Sequence, residues 1–228
     1  MTISANQRYL LGLMAIAAVA AIFGSYGMPG RWLLYIAKPL ATLCAVGIVV
    51  LADGSKPYRR AILIGLLLST LGDVLLMLPA DLFAAGLAAF LAAHVAYLTA
   101  FLAQARLGSR LWPFLVYAML AAVLVSLLWP GVPVALRGAI VVYTLALALM
   151  AAQAAARAGV LRTRGARLAA FGAAVFVISD ATLAINRFRW PFDAAEIVVL
   201  GTYWLAQALI ALSVVGVNLP RRDTPRTA

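Results

Sequence analysis

The chain has 228 residues, of which 66% are hydrophobic and 11% charged. Soluble proteins carry about 25% charged residues and one membrane crossing takes about 20 apolar residues. The composition therefore excludes a soluble globular domain, a disordered chain and a collagen-like chain. The formal charge of +11 would suggest a nucleic-acid partner in a soluble protein; here it is read as loop arginines that set membrane orientation, with no nucleic acid expected.

In chain order, breakers and charges delimit eight apolar segments: Tyr9–Ser25, Trp32–Leu51, Ala61–Leu78, Leu82–Gln104, Leu111–Trp129, Val134–Ala156, Leu168–Ile185 and Ala195–Val217. Each is apolar on all faces and long enough to cross hydrocarbon. The expected fold is all-α, a single transmembrane domain of eight helices over residues 1–228. The connections carry turn chemistry: Gly27-Met28-Pro29-Gly30, Asp53-Gly54-Ser55-Lys56-Pro57, Pro79-Ala80-Asp81, Trp129-Pro130-Gly131 and Trp190-Pro191. The first segment follows Arg8 as a signal peptide would. It is read as a span instead, because it is long for a signal and no polar cleavage region follows it. Alternating the loops puts thirteen Lys and Arg on one side and five on the other. The positive-inside rule then expects both termini in the cytoplasm, in a bacterial inner (plasma) membrane.

Of seven acidic residues, only Asp73 and Asp180 fall well inside apolar segments. A carboxylate at mid-helix costs about 3 kcal/mol on insertion scales, which makes each a functional candidate. Both lie five residues before the outer end of a segment, about 7–8 Å deep. Lys38 enters from the same side at about 9 Å, either snorkelling to the interface or acting as counter-ion to a carboxylate. Tyr143, His94, Tyr203 and Gln207 lie deeper; Tyr203 and Gln207 share a helix face at i, i+4, and His94 and Tyr97 at i, i+3. Ser69, four residues before Asp73, is placed to donate to it or to bond its own helix. Together these residues outline a polar cavity that opens outward or laterally. Arg31, Arg187 and Arg189 ring its mouth, suited to a lipid phosphate or simply to solvated loops.

A weak repeat fits this picture. Gly65 precedes Asp73 by eight residues and Gly172 precedes Asp180 by eight; leucine follows each aspartate by three. Segments three and seven would run parallel, so a four-plus-four repeat would bring the aspartates toward one axis. Cys44 is the single cysteine and His94 the single histidine. That leaves no disulfide framework and no zinc site, and neither metal nor cofactor is expected. No nucleophile elbow, P-loop, dinucleotide fingerprint or His-Glu-x-x-His occurs. A hydrolase built from these residues would use two carboxyls, helped by Lys, His or Tyr.

Five stretches carry a family resemblance: Lys38-Pro39-Leu40, Gly65 to Met77, Phe90 to Tyr97, Phe176 to Asp180 with Asn186-Arg187-Phe188, and Thr202-Tyr203-Trp204-Leu205-Ala206-Gln207. In order and spacing they resemble the lysoplasmalogenase (YhhN-like) family of eight-span membrane proteins. The resemblance implies hydrolysis of the vinyl ether of lysoplasmalogens to a fatty aldehyde and glycerophospho-ethanolamine or -choline. It implies Asp73 and Asp180 as the catalytic pair, with Ser179 and Asn186 among the supporting residues, and a lysophospholipid drawn from the membrane as partner. Such chemistry adds a proton to the β-carbon and leaves an oxocarbenium ion, much as glycosidases do. One carboxyl would hold the proton while the other stabilises the cation and orients water; two close carboxyls in low dielectric do not both ionise. The competing reading is a proton-coupled transporter of small molecules or lipids using the same aspartates. A non-enzymatic lipid-binding scaffold would leave both aspartates idle.

Overall fold

A chain this apolar satisfies its backbone inside hydrocarbon only by helices that close their own hydrogen bonds. The computed structural model describes residues 3–27 and 31–215 and holds eight helices. They are α1 (Ala5–Ser25), α2 (Arg31–Val50), α3 (Lys56–Met77), α4 (Phe83–Leu102), α5 (Trp112–Leu128), α6 (Val134–Leu161), α7 (Arg164–Phe188) and α8 (Ala195–Leu212). Seven are long and apolar enough to span a membrane. The eighth, α5, has 17 residues, about 25 Å of helix. The protein is thus an integral membrane protein of all-α architecture.

Local chemistry explains the ends. Ser4 and Gln7 form a reciprocal capping box that starts α1. Pro57 stands in the first turn of α3 and Pro113 in that of α5, where a missing N–H does no harm. Thr163 caps α7 by accepting from the Ala166 N–H at 3.2 Å. Several helices outrun their apolar segments. α3 begins at Lys56 rather than Ala61, α6 continues to Leu161 rather than Ala156, and α7 covers Arg164–Phe188 rather than Leu168–Ile185. Hydropathy marks the edge of hydrocarbon, whereas the backbone ladder continues until a cap stops it. The Met28–Gly30 part of the first turn, Val217 and the basic tail with Arg221, Arg222 and Arg226 lie outside the described residues.

Successive helices pack against one another except α4 and α5, and six of them close a ring in the order α2, α3, α4, α6, α7, α8 and back to α2. α1 packs outside against α2 and α8; α5 packs outside against α6 and touches α7. The ring order is unchanged when α2, α3 and α4 are exchanged for α6, α7 and α8, as a parallel repeat requires. Lipid-facing positions stay apolar, such as Ile16 and Phe23 on α1 and Leu115, Met119 and Val123 on α5. Small residues face inward and let backbones approach. On α1 these are Ala17, Ala21 and Gly24, and a Cβ on Gly24 would come within 2.7 Å of the Leu34 nitrogen. The two repeat glycines lie at equivalent seams. Gly65 (α3) makes room for the Tyr97 ring on α4, and Gly172 (α7) lies against the Ala206 carbonyl on α8.

Gly131, in the α5–α6 turn, is the tightest of these contacts. A Cβ there would fall 1.6 Å from the Phe188 carbonyl oxygen at the end of α7. Gly131→Ala should therefore destabilise the protein by about 1–3 kcal/mol, read as a lowered thermal midpoint in detergent.

One cation counted among the loop arginines is buried instead. Arg157 lies within α6 and is 1% exposed. Its Nε donates to Gln104 Oε1 at 2.9 Å, its Nη2 reaches the same oxygen, and its face covers the Tyr58 ring at 4.6 Å. One turn earlier, Gln153 Nε2 donates to the Ala105 carbonyl at 2.9 Å. α6 thereby grips the end of α4 and the loop that follows it.

Candidate active site

Asp73 on α3 is 1% exposed. Its Oδ2 accepts from Thr42 Oγ1 at 2.6 Å and from the Tyr203 hydroxyl at 2.8 Å. Lys38 Nζ stands 4.0 Å from its Oδ1. Lys38 and Thr42 are four residues apart on α2 and therefore share a face. Trp204 Nε1 donates to Thr42 Oγ1 at 3.3 Å, which fixes the threonine hydroxyl toward the carboxylate. Every side of this carboxyl has a donor or a cation.

Asp180 on α7 is held differently. Its Oδ2 accepts from the Tyr143 hydroxyl at 2.5 Å and lies 3.2 Å from His94 Nε2. No described residue hydrogen-bonds its Oδ1, and the side chain keeps 12% exposure, toward the cavity. His94 is fully buried and its Nδ1 has no hydrogen-bond partner among the described residues. A hydrogen on Nε2 lets the ring donate to Asp180 Oδ2.

The two sets of partners are related by the ring. Asp73 (α3) takes donors from α2 and α8; Asp180 (α7) takes them from α6 and α4. Exchanging the halves maps one set onto the other. The partners differ in type, Thr42 and Tyr203 against Tyr143 and His94, and the lysine has no counterpart: taking Thr42 as the counterpart of Tyr143, Lys38 maps onto Ala139. A cation thus serves one aspartate and not the other.

Both aspartates line one cavity of about 340 Å³, near the lower end of the range for small-molecule sites, about 300–1,000 Å³. The two carboxyls do not hydrogen-bond each other; each is held by its own set of protein donors, and both face one space. Phe90, Tyr203, Phe176 and His94 stack edge to face beside them, with centroids 4.9–5.7 Å apart from ring to ring. Aliphatic side chains of α3 to α7, among them Leu76, Leu87, Leu124, Ile140 and Leu147, make the rest of the wall apolar. Polar and charged groups, Lys38, Asn186, Arg187 and Glu196, border it as well.

The other expected residues fall into place around this frame, with corrections. Ser69 does not serve Asp73; its Oγ lies 3.3 Å from the Tyr97 hydroxyl, and Thr42 from the neighbouring helix fills the role. Tyr97 donates to Gln207 Oε1 at 2.8 Å, so these three form a buried cluster below the carboxyls rather than lining the cavity. Ser179 and Asn186 line the cavity but spend a polar atom on backbone. Ser179 Oγ donates to the Val199 carbonyl at 2.9 Å, and Asn186 Oδ1 accepts from the Phe192 N–H at 3.1 Å. Thr42 and Glu196 escaped sequence reasoning. The signal for Thr42 was its i+4 spacing from Lys38 in a segment with few other polar groups. Of the three arginines expected at the mouth, Arg187 borders the cavity, while Arg189 lies over Trp190.

Comparison with known proteins bears on this geometry. A family profile described as the YhhN family matches residues 33–214, from α2 to α8. Lysoplasmalogenase TMEM86B of Sus scrofa is 37% identical over 188 residues, covering 80% of this chain and 76% of the relative. Its Homo sapiens counterpart is 31% identical over 195 residues, covering 84% and 80%. Lysoplasmalogenase TMEM86A of Homo sapiens is 33% identical over 193 residues, covering 81% and 79%. No solved structure matches the chain.

Proposed function

The chain belongs to the YhhN family, and on that premise we propose that this membrane ether hydrolase cleaves the vinyl ether of lysoplasmalogens by acid catalysis with Asp180 and Asp73. The relatives carry the name lysoplasmalogenase. The observation that carries the reading is the unequal support of two aspartates on one apolar cavity.

In this reading Asp73, faced by Lys38 and two hydroxyl donors, is the ionised member. Asp180 carries its proton on Oδ1, the oxygen without a partner among the described residues, while Oδ2 accepts from Tyr143. The Asp180 proton passes to the β-carbon of the vinyl ether. The π pair of the double bond forms the new C–H bond, and the adjacent carbon becomes an oxocarbenium ion. The Asp73 carboxylate offsets that charge in low dielectric. Water adds to the cationic carbon and its proton returns to Asp180. The resulting hemiacetal collapses to a fatty aldehyde and the glycerophospho-alcohol, so one water is consumed and the acid is restored. The positive-inside count supports both termini in the cytoplasm, with the cavity mouth on the opposite side.

The test uses purified protein in detergent with 1-alkenyl-glycerophosphoethanolamine in deuterated water. Mass spectrometry should find glycerophosphoethanolamine and an aldehyde with one deuterium on the carbon next to the carbonyl. Aldehyde without that deuterium would remove the carbon-protonation step. Proton flux in liposomes with no lipid turnover would favour the transporter instead.

A further inference from the structure

Two charged groups bordering the cavity, Arg187 and Glu196, are not used by the chemistry above. α7 lines the cavity with Ser179, Asp180, Leu183, Ala184, Asn186 and Arg187; α8 lines it with Tyr203, Leu200, Val199 and Glu196. The α8 set follows the i, i+3, i+4, i+7 pattern of one helix face, and within the broader α7 set Asp180, Leu183, Ala184 and Arg187 hold the same spacing. Arg187 and Glu196 therefore each stand seven residues from the reacting layer, about 10.5 Å along their helices. The two helices form a hairpin, so the two charges rise from the reacting layer toward the same end.

We propose that Arg187 and Glu196 form a subsite for a zwitterionic phospho-amine headgroup, the guanidinium taking the phosphate and the carboxylate taking the ammonium. The inference rests on the reading of the cavity as a lysolipid site.

Three features support it. The span fits: seven bonds separate the protonated carbon of a 1-alkenyl lysolipid from phosphorus, about 8 Å when extended. The donors are available: both bonds to Asp81 come from Arg187 Nη2, at 3.0 and 3.1 Å, which leaves Nε and Nη1 free for an anion. The Phe83 ring, 3.9 Å from the guanidinium carbon, holds its plane. Glu196 has no ion pair among the described residues. It stands in the first turn of α8, where a carboxylate is favoured, and is open to a cation. The turn between the two helices is also tied down, by the Asn186–Phe192 bond and by the Tyr26 hydroxyl donating to the Asp193 carbonyl at 2.7 Å.

The experiment measures binding of non-cleavable 1-alkyl analogues, so it reads the subsite even where no vinyl ether is hydrolysed. The probes are 1-alkyl-glycerophosphoethanolamine, 1-alkyl-glycerophosphate and 1-alkylglycerol, offered to wild type, Glu196→Gln and Arg187→Gln in detergent. Glu196→Gln should weaken the ethanolamine lipid about three- to fivefold and leave the glycerophosphate unchanged. Arg187→Gln should weaken both phosphate lipids about tenfold and leave the alkylglycerol unchanged; unchanged alkylglycerol binding also reports an intact fold. An ethanolamine-to-glycerophosphate ratio that Glu196→Gln leaves as in wild type overturns the inference. So does equal loss of all three probes, or a wild type that binds all three alike.

Discussion

Asp180→Asn should abolish nearly all aldehyde release while leaving lysolipid binding and thermal stability close to wild type. Asparagine matches the shape of aspartate and keeps an oxygen to accept from the Tyr143 hydroxyl, so the α6–α7 contact at that point survives. What it lacks is a proton acidic enough for carbon. Loss of a positioned general acid costs about 10²–10⁴ in kcat, and KM should scarcely move. Asp73→Asn should also lower kcat, for a different reason: it removes the negative charge that faces the developing cation and leaves Lys38 without its partner. The two variants separate by rescue. Small carboxylic acids added to the medium should restore part of the Asp180→Asn rate and none of the Asp73→Asn rate. Wild-type-like turnover by either variant, with the fold intact, removes that aspartate from the mechanism.

The second large effect concerns stability at the far end of the bundle. Arg157→Ala should destabilise the protein by about 3–5 kcal/mol. It empties the space above the Tyr58 ring and leaves Gln104 Oε1 buried without a donor. Arg157→Met should cost much less. It refills the volume with a flexible apolar chain and also removes Nη1, which has no hydrogen-bond partner among the described residues. Thermal unfolding of the purified variants in one detergent checks the contrast. Equal loss for Ala and Met would show that the hydrogen bonds to Gln104, rather than packing, carry the contribution.

Much of this molecule could be read before any coordinates. Eight apolar runs are hard to arrange as anything but eight helices, and charge is rare enough inside them that Asp73, Asp180 and Lys38 stand out. What escaped has physical reasons. Ser69 looked like the partner of Asp73 because it is one turn away in sequence, yet the donor is Thr42 on the adjoining helix. Ring order decides that, and composition does not record it. Arg157 passed for a loop residue because transfer scales price a guanidinium as if it were alone. Here an aromatic ring and a glutamine receive it within α6. Glu196 stands at the end of an apolar segment, where a charge is ordinary, although its distance from Tyr203 equals that of Arg187 from Asp180.

The near-symmetry of the ring has a consequence for how such a catalyst can exist at all. Two separate four-helix subunits, joined as an identical pair, would be obliged to treat their aspartates alike, and neither could be assigned a fixed chemical role. Once both halves are written into one polypeptide, each copy can diverge alone. A lysine on one side and an alanine at the matching place on the other, with different hydrogen-bond partners, already make the surroundings of the two carboxyls unequal.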